Sequence, residues 1–251
     1  MGGLFTFFNK RKQLERFPFE MLGTDMHSHL LPGIDDGSPD TDTSIALIKG
    51  LQELGYRKLI TTPHVMEDIY RNNKSTIQDA YRRLKAAIDA QPDLVEVNLQ
   101  FAAEYLLDGN VDNMLAKNTQ MLALKDKMVL VEVSFVSPPL HFKEVLFELQ
   151  MKGYQPVFAH PERYGFYHSR PSEYEEIRDM GCLFQCNLLS FSGYYGASVR
   201  QAAEFLAKKG LVDLLGTDLH HDKHLQALQT LELTPALSQI VDGHRLINPS
   251  L

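Results

Sequence analysis

Histidines and carboxylates recur along this chain in short clusters whose types suit a metal ion. The first, TDMHSHLLPGIDDG at residues 24–37, sets two histidines and three carboxylates close together. His27 and His29 form an H-x-H pair. On an extended strand, side chains two apart share a face, so both imidazoles can reach one ion. PGIDDG supplies a turn able to bring a carboxylate, Asp36, back over them. Further along stand His64 in T-P-H, Glu104, Glu132, His160 in H-P-E-R, and Asp218 with His220 in D-x-H. Histidine with carboxylate suits Mn, Fe or Zn better than Mg or Ca, which favour all-oxygen shells. Each group alone has an ordinary reading. T-P-H is a turn, Glu104 and Glu132 are strand-end carboxylates, and Asp218 is an N-cap. H-P-E-R is a helix start with Pro161 first and Glu162 favoured by the helix dipole. Together these readings fail, because scattered histidines would not track strand ends. His141, His168, His221, His224 and His244 stand outside the scheme, as surface or supporting groups.

The elements that must position these residues alternate. Strand-like runs end GTDMH, KLITTPH, VEVNLQFAAEY, KMVLVEVSF, QPVFAH, CLFQCNLL and VDLLGTD. Between them lie helical patterns: Leu47, Ile48, Leu51 and Leu54 share one face, STIQDAYRRLKAAIDA has Ser75 as its expected N-cap, and Gly181 and Gly210 stop two others. A short helix is expected at 111–117, another in LHFKEVLFELQMKGY, and an interruption near Pro235 in the tail. About seven strands, most followed by a helix, imply parallel pairing with right-handed crossovers. The expected fold is a distorted (β/α)7 TIM-like barrel in one domain, residues 21–251, after an N-terminal arm, residues 1–20. Carboxyl ends of parallel barrel strands share one face, which gathers the candidate donors. An open doubly wound sheet is the alternative, and no G-x-G-x-x-G opens a helix to support it.

Composition narrows the function. The 251 residues are 44% hydrophobic and 23% charged, with formal net charge −7. That balance argues against general nucleic-acid binding, which needs clustered Lys and Arg. No long apolar run suggests a membrane span, and the start lacks the layout of a secretion signal. Gly2 and Thr6 formally match a myristoylation pattern, and Phe5, Phe7 and Phe8 beside Lys and Arg allow a minor membrane contact. The expectation is no stable membrane insertion and a cytoplasmic protein. Two cysteines, Cys182 and Cys186, would sit roughly 13 Å apart on one strand, too far for a disulfide.

D-x-H-x-H, T-P-H, the isolated Glu, H-P-E-R and D-x-H, in that order, resemble the polymerase-and-histidinol-phosphatase (PHP) superfamily. HSHLLPGIDDG, ITTPH, HPERY and QCNLLSFSGYYG look more narrowly like its bacterial tyrosine phosphatase branch, associated with capsule or exopolysaccharide assembly. The resemblance runs over about residues 22–221 and implies a (β/α)7 barrel with three divalent ions, manganese first, iron or zinc as alternatives. By position, it implies that His27, His29, Glu104 and Asp218 hold one ion. Glu104 would bridge to a second, held also by Glu132 and His160. Asp36, His64 and His220 would hold the third. Arg163 matches the family arginine that grips phosphate. With Asp218 and His220 it makes the expected catalytic set. A second phosphate-binding arginine has no obvious counterpart; Lys223 is the nearest cation. His221 stands where the branch often has Asn.

Charge favours phosphate as ligand. Three divalent ions bring about six positive charges and four carboxylates return about four, leaving an excess matching a phosphate monoester dianion. Water acidified by the ions is the expected nucleophile. The expected substrate is a phosphotyrosine protein, with a bacterial tyrosine autokinase as the partner the resemblance implies. Rivals are a small-molecule phosphatase such as one acting on histidinol phosphate, a nuclease, and a non-catalytic metal-binding partner of a kinase. A cysteine phosphatase is excluded: neither Cys182 nor Cys186 has an arginine at the C-x5-R offset, which falls on Leu188 and Ser192.

Overall fold

Short apolar runs, each too brief to bury itself, alternate with amphipathic helices and stack side by side. The computed structural model describes residues 15–243 and 246–251. First come β1 (Thr24–Asp25), α1 (Thr41–Glu53), β2 (Lys58–Thr61), β3 (His64–Val65) and α2 (Lys74–Asp89). β4 (Asn98–Phe101), β5 (Glu104–Leu106), α3 (Gly109–Ala116), β6 (Met128–Glu132) and α4 (Phe142–Met151) follow. The chain continues through β7 (Gln155–Ala159), α5 (Ser172–Asp179), β8 (Leu183–Asn187), α6 (Ala197–Lys209) and β9 (Leu214–Gly216) to α7 (Asp222–Gln229) and α8 (Pro235–Asp242).

The strands form two sheets, β1-β2-β4 and β3-β5-β6-β7-β8-β9, and every strand pair is parallel. The α/β alternation and parallel pairing agree with expectation; no closed barrel sheet is seen among the described residues. Two expected strands are split. Residues 58–65 break into β2 and β3 at Thr62 and Pro63, and 98–106 into β4 and β5 at Ala102 and Ala103. Proline has no N–H to give a ladder, so the run changes sheet there. Hydrogen bonds still cross the gap: Thr62 N–H donates to Ser28 O (2.7 Å) and Glu104 N–H to Pro63 O (3.1 Å). At the outer edges, Ser28 and Leu219 form an isolated parallel bridge, and Asp218 N–H donates to His27 O (2.8 Å).

Both sheets contribute to one small interior cluster of Met26, Ile60, Ala102, Leu124, Leu130, Val157, Ala159 and Leu214. Two residues beyond Ala102 comes Glu104, and two beyond Leu130 comes Glu132. The strand period therefore places these carboxylates on the interior face, one layer above apolar packing. The larger core lies between strands and helices.

The helix ends carry local explanations. Asn73, not Ser75, caps α2, and its side chain accepts from the N–H groups of Ser75 and Thr76. Asn73 is two residues earlier and has the extended backbone that a cap requires. Gly210 closes α6 at φ 66°, where a side chain would be strained. Residues 1–14, with Gly2, Phe5, Thr6, Phe7 and Phe8, and residues 244–245, with His244, lie outside the described residues. The end of the expected arm is joined to the body: Phe17 N–H donates to Leu231 O (2.9 Å) and Leu233 N–H to Glu15 O (2.7 Å). Phe17 and Phe19 are buried there. Among the described residues no helix is long and apolar enough to cross a membrane.

Candidate metal centre

All nine expected donors converge. Glu104 is central: its Oε2 lies 3.2 Å from His27 Nε2, 3.4 Å from His29 Nε2 and 3.1 Å from His64 Nδ1. Its Oε1 meets His160 Nε2 at 3.1 Å. Asp218 Oδ1 faces His27 Nε2 at 3.4 Å and His29 Nε2 at 3.6 Å. Glu132 Oε1 is 2.8 Å from His64 Nδ1, and its Oε2 is 4.0 Å from His160 Nε2. Asp36 Oδ1 lies 3.4 Å from His64 Nε2 and 3.6 Å from His220 Nε2. Four overlapping groups of donors able to hold a cation result: His29, Asp36, His64 and His220; His27, Glu104 and His160; His27, His29 and Asp218; His64, Glu104 and Glu132. All except Asp36 and His220 are buried.

The donor set fits divalent cations on the structure's own terms. His27 Nε2 and His29 Nε2 face each other at 3.4 Å, a pairing that repels unless a cation or proton intervenes. His64 Nδ1, Glu104 Oε2 and Glu132 Oε1 are buried without a hydrogen-bond partner, although each has a charged neighbour. Buried polar atoms are seldom left so. Imidazole nitrogen mixed with carboxylate oxygen is the ligand chemistry of Mn, Fe and Zn.

Protons show where positive charge is wanted. Burial opposes charge on His27, but Glu104 and Asp218 overcome it and raise its pKa to about 9. His29 is likewise held well above its usual value against burial, by Asp35 and Glu104. Burial also opposes ionisation of Glu104 and Asp218, yet their imidazole neighbours hold both well below the usual carboxylate range. Glu132 is pushed up, by burial and then by Glu104. His220 is pulled down to about 4 by burial and His29.

A second layer fixes which nitrogen faces inward. Gln185 Oε1 accepts from His160 N–H (3.2 Å), so it is the amide oxygen, and His27 Nδ1 (2.8 Å) must donate to it. That leaves His27 Nε2 directed into the cluster. Gln185 Nε2 donates to Asn187 Oδ1 (2.9 Å), and Asn187 Nδ2 donates to Asp218 Oδ2 (2.7 Å). His29 Nδ1 donates to Asp35 Oδ2 (2.9 Å), and His220 Nδ1 to Asp218 O (2.9 Å). Close approach is built in. A Cβ at Gly37 would collide with the His29 backbone and Cβ. One at Gly216 would lie 2.7 Å from Gln185 Nε2 and 2.8 Å from His27 Cβ. His160 and Asp218 themselves occupy the left-handed backbone region, at φ 35° and 49°.

Above the cluster opens a cavity of about 250 Å3, whose walls include Arg163, Phe135, Tyr195 and His221. Arg163 Nη1 donates to Asp218 Oδ2 at 2.8 Å. Its guanidinium lies 4.9 Å from the ring centre of Phe135 and 4.5 Å from that of Tyr195. Lys223 does not line this cavity. It is exposed in the first turn of α7, while the next residue, His224, turns inward. A larger cavity, about 360 Å3, lies against α2 and α3 and has no histidine or carboxylate in its wall.

The sequence of residues 23–231 matches the family described as "Capsular polysaccharide synthesis, CpsB/CapC". The chain belongs to the CpsB/CapC family. The tyrosine-protein phosphatase YwqE of Bacillus subtilis is 31% identical over 214 residues, covering 83% of each chain. The tyrosine-protein phosphatase CpsB of Streptococcus pneumoniae is 25% identical over 203 residues, 78% of this chain and 82% of its own. A solved structure from work on YwqE and CpsB, described there as unique metal-dependent tyrosine phosphatases, superposes with a TM-score of 0.76. It shares 28% identity and covers 90% of each chain.

The remaining groups of this CpsB/CapC member now have places. Asp36 was expected, but its neighbour Asp35 was not, although Asp35 holds His29 and is buried. Gln185 and Asn187 lie outside the expected set as well; their sequence signal is two amides two apart on an apolar strand. His221 caps α7 and accepts from His224 N–H. His168 pairs with Glu162 O (2.7 Å) and His141 with Asp112 (3.0 Å). Cys182 and Cys186 are both free and fully buried, and burial pushes both thiols far above their ordinary pKa. Neither lines the cavity. Cys182→Ser and Cys186→Ser should each keep turnover within about threefold, while losing about 1 kcal/mol of stability for a buried hydroxyl. Rates and melting curves of the two variants check this.

Proposed function

We propose that this protein is a cation-dependent phosphomonoester hydrolase that removes phosphate from phosphotyrosine in proteins. The observation that carries the reading is the convergence of nine imidazole and carboxylate donors beneath a cavity walled in part by Arg163. Family membership supports it, as do the relatives named tyrosine-protein phosphatase. We take its protein substrate to be a bacterial tyrosine autokinase of capsule or exopolysaccharide synthesis, met in the cytoplasm; the family description supports the capsule setting. The donor groups support three cations, manganese first, with iron or zinc as alternatives. We read the two sheets, with their shared interior and the bridge at Ser28 and Leu219, as a distorted (β/α)7 barrel.

Bound cations would supply Lewis acidity that polarises a phosphoryl oxygen and acidifies the attacking water. The chain's own residues do the rest. His27, His29, Glu104 and Asp218 would hold one cation; Glu104, Glu132 and His160 a second; Asp36, His64 and His220 the third. Gln185, Asn187 and Asp35 keep ring nitrogens and carboxylate oxygens pointed inward. Arg163, steadied by Asp218 and two aromatic rings, stabilises charge on the phosphoryl oxygens. Phe135, half exposed at the rim, offers a flat apolar face to an aryl leaving group. Tyrosine's phenolate, with a pKa of about 10, needs little help in departing.

The test is turnover on a phosphotyrosine peptide beside histidinol phosphate, using protein purified without chelator and analysed for bound metal. The expected result is bound transition metal, faster hydrolysis of the peptide, and loss of both metal and activity on chelation without unfolding. Retained activity in fully demetallated protein, or preference for histidinol phosphate, would overturn the reading.

A further inference from the structure

Tyr195 stands at the cavity with a hydroxyl that no described residue satisfies. The residue follows the turn Leu188–Ser192 beyond β8. Its ring is held edge-on by Tyr194, at 5.1 Å between ring centres, and by His224, at 6.1 Å. Arg163 lies over its face. The hydroxyl oxygen is buried and without a hydrogen-bond partner, in a residue that lines the same cavity as Arg163, Asp218 and His220. A buried hydroxyl left unpaired is destabilising, so its persistence calls for a partner that arrives with a ligand. Phosphate recognition has a vacancy of the matching kind: among the described residues Arg163 is the one arginine in the wall, one of its nitrogens is engaged by Asp218, and Lys223 lies elsewhere.

We infer that the Tyr195 hydroxyl is the second arm of the phosphate grip, donating to a phosphoryl oxygen of the bound phosphomonoester beside Arg163. The inference rests on the phosphatase reading for its substrate. The chemistry is that of a neutral donor. A phenol adds direction without adding charge, so it orients the phosphoryl group and does not trap the product as a second arginine would.

Tyr195→Phe isolates the hydroxyl, because the ring and its stacking with Arg163 remain. The probe is inorganic phosphate, titrated calorimetrically into cation-loaded protein and also used as a product inhibitor. Y195F should weaken phosphate binding and raise KM for both p-nitrophenyl phosphate and a phosphotyrosine peptide by about tenfold. Its cation content should be unchanged and its melting temperature equal to or above that of the wild type, since an unpaired buried hydroxyl has been removed. A merely structural hydroxyl would leave the phosphate affinity where it was. Phosphate affinity within about twofold of wild type in Y195F overturns the assignment, as does a loaded wild type that binds no phosphate. If the wild type binds phosphate yet hydrolyses no ester, the phosphatase reading falls. The same titration then decides Tyr195 alone.

Discussion

Glu104→Gln should lower turnover on a phosphotyrosine peptide by about a thousandfold, about 4 kcal/mol in the barrier, and should lower the number of divalent cations retained. The substitution keeps shape and volume, so packing above Ala102 survives. It removes the one charge that faces His27, His29 and His64 through one oxygen and His160 through the other. A neutral amide offers at most one weakly ligating oxygen, and its NH2 would point a donor at imidazole nitrogens or at a cation. Because Glu104 belongs to two of the overlapping donor groups, its loss should empty more than one position. Initial rates read beside elemental analysis check this. A Glu104→Gln protein with full cation content and near-normal rate would remove the carboxylate from the centre of the site.

The second large effect is in pH. In chelated protein the folded-state pKa of His27 is raised from 6.5 to about 9, and that of His29 is also raised. A raised imidazole pKa stabilises the fold fully below the unfolded value, and the contribution is lost as pH rises through the folded value. The depressed Glu104 and Asp218 work the other way. They contribute above the ordinary carboxylate range and lose that contribution in acid. The chelated protein should therefore be most stable at about pH 5–6.5, and its melting temperature should fall steadily from there to about pH 9. Cations that replace those protons remove the titration, and their binding releases protons, so affinity strengthens as pH rises. Melting curves with chelator and with added manganese should thus diverge from pH 6.5 upward. Parallel curves would mean that protons and cations do not compete for these nitrogens.

The candidate donors are legible in the sequence because chemistry at a strand end has a local signature: a histidine or carboxylate that closes a strand-like run. His160 follows PVFA directly, while His27, His64 and Asp218 close GTDMH, KLITTPH and VDLLGTD. The alternation of strands and helices and the parallel pairing are legible for the same reason, since most runs are followed by a helix with a clear face. What escaped depended on contacts far along the chain. KLITTPH reads as one strand, whereas Pro63 is the point where the chain changes sheet. Asp35 and Asp36 are adjacent and alike, and only the fold decides that Asp35 turns in to His29 while Asp36 stays half exposed over His64 and His220. In the sequence, Gln185 is one polar residue in the strand-like run CLFQCNLL. Its role appears only when β8 lies beside β7 and next to His27, 158 positions away in the chain. Lys223 is near D-x-H in sequence, yet α7 carries it out to solvent.

The backbone at His160 and Asp218 carries a wider consequence. A left-handed residue with a side chain is less stable than glycine there by about 1–2 kcal/mol, and here both such positions hold members of the donor groups able to bind a cation. Selection for durability and selection for turnover must pull the two positions in opposite directions. In a descendant that still folds, glycine at either place would mark a lineage that has given up chemistry and kept the scaffold for some other use.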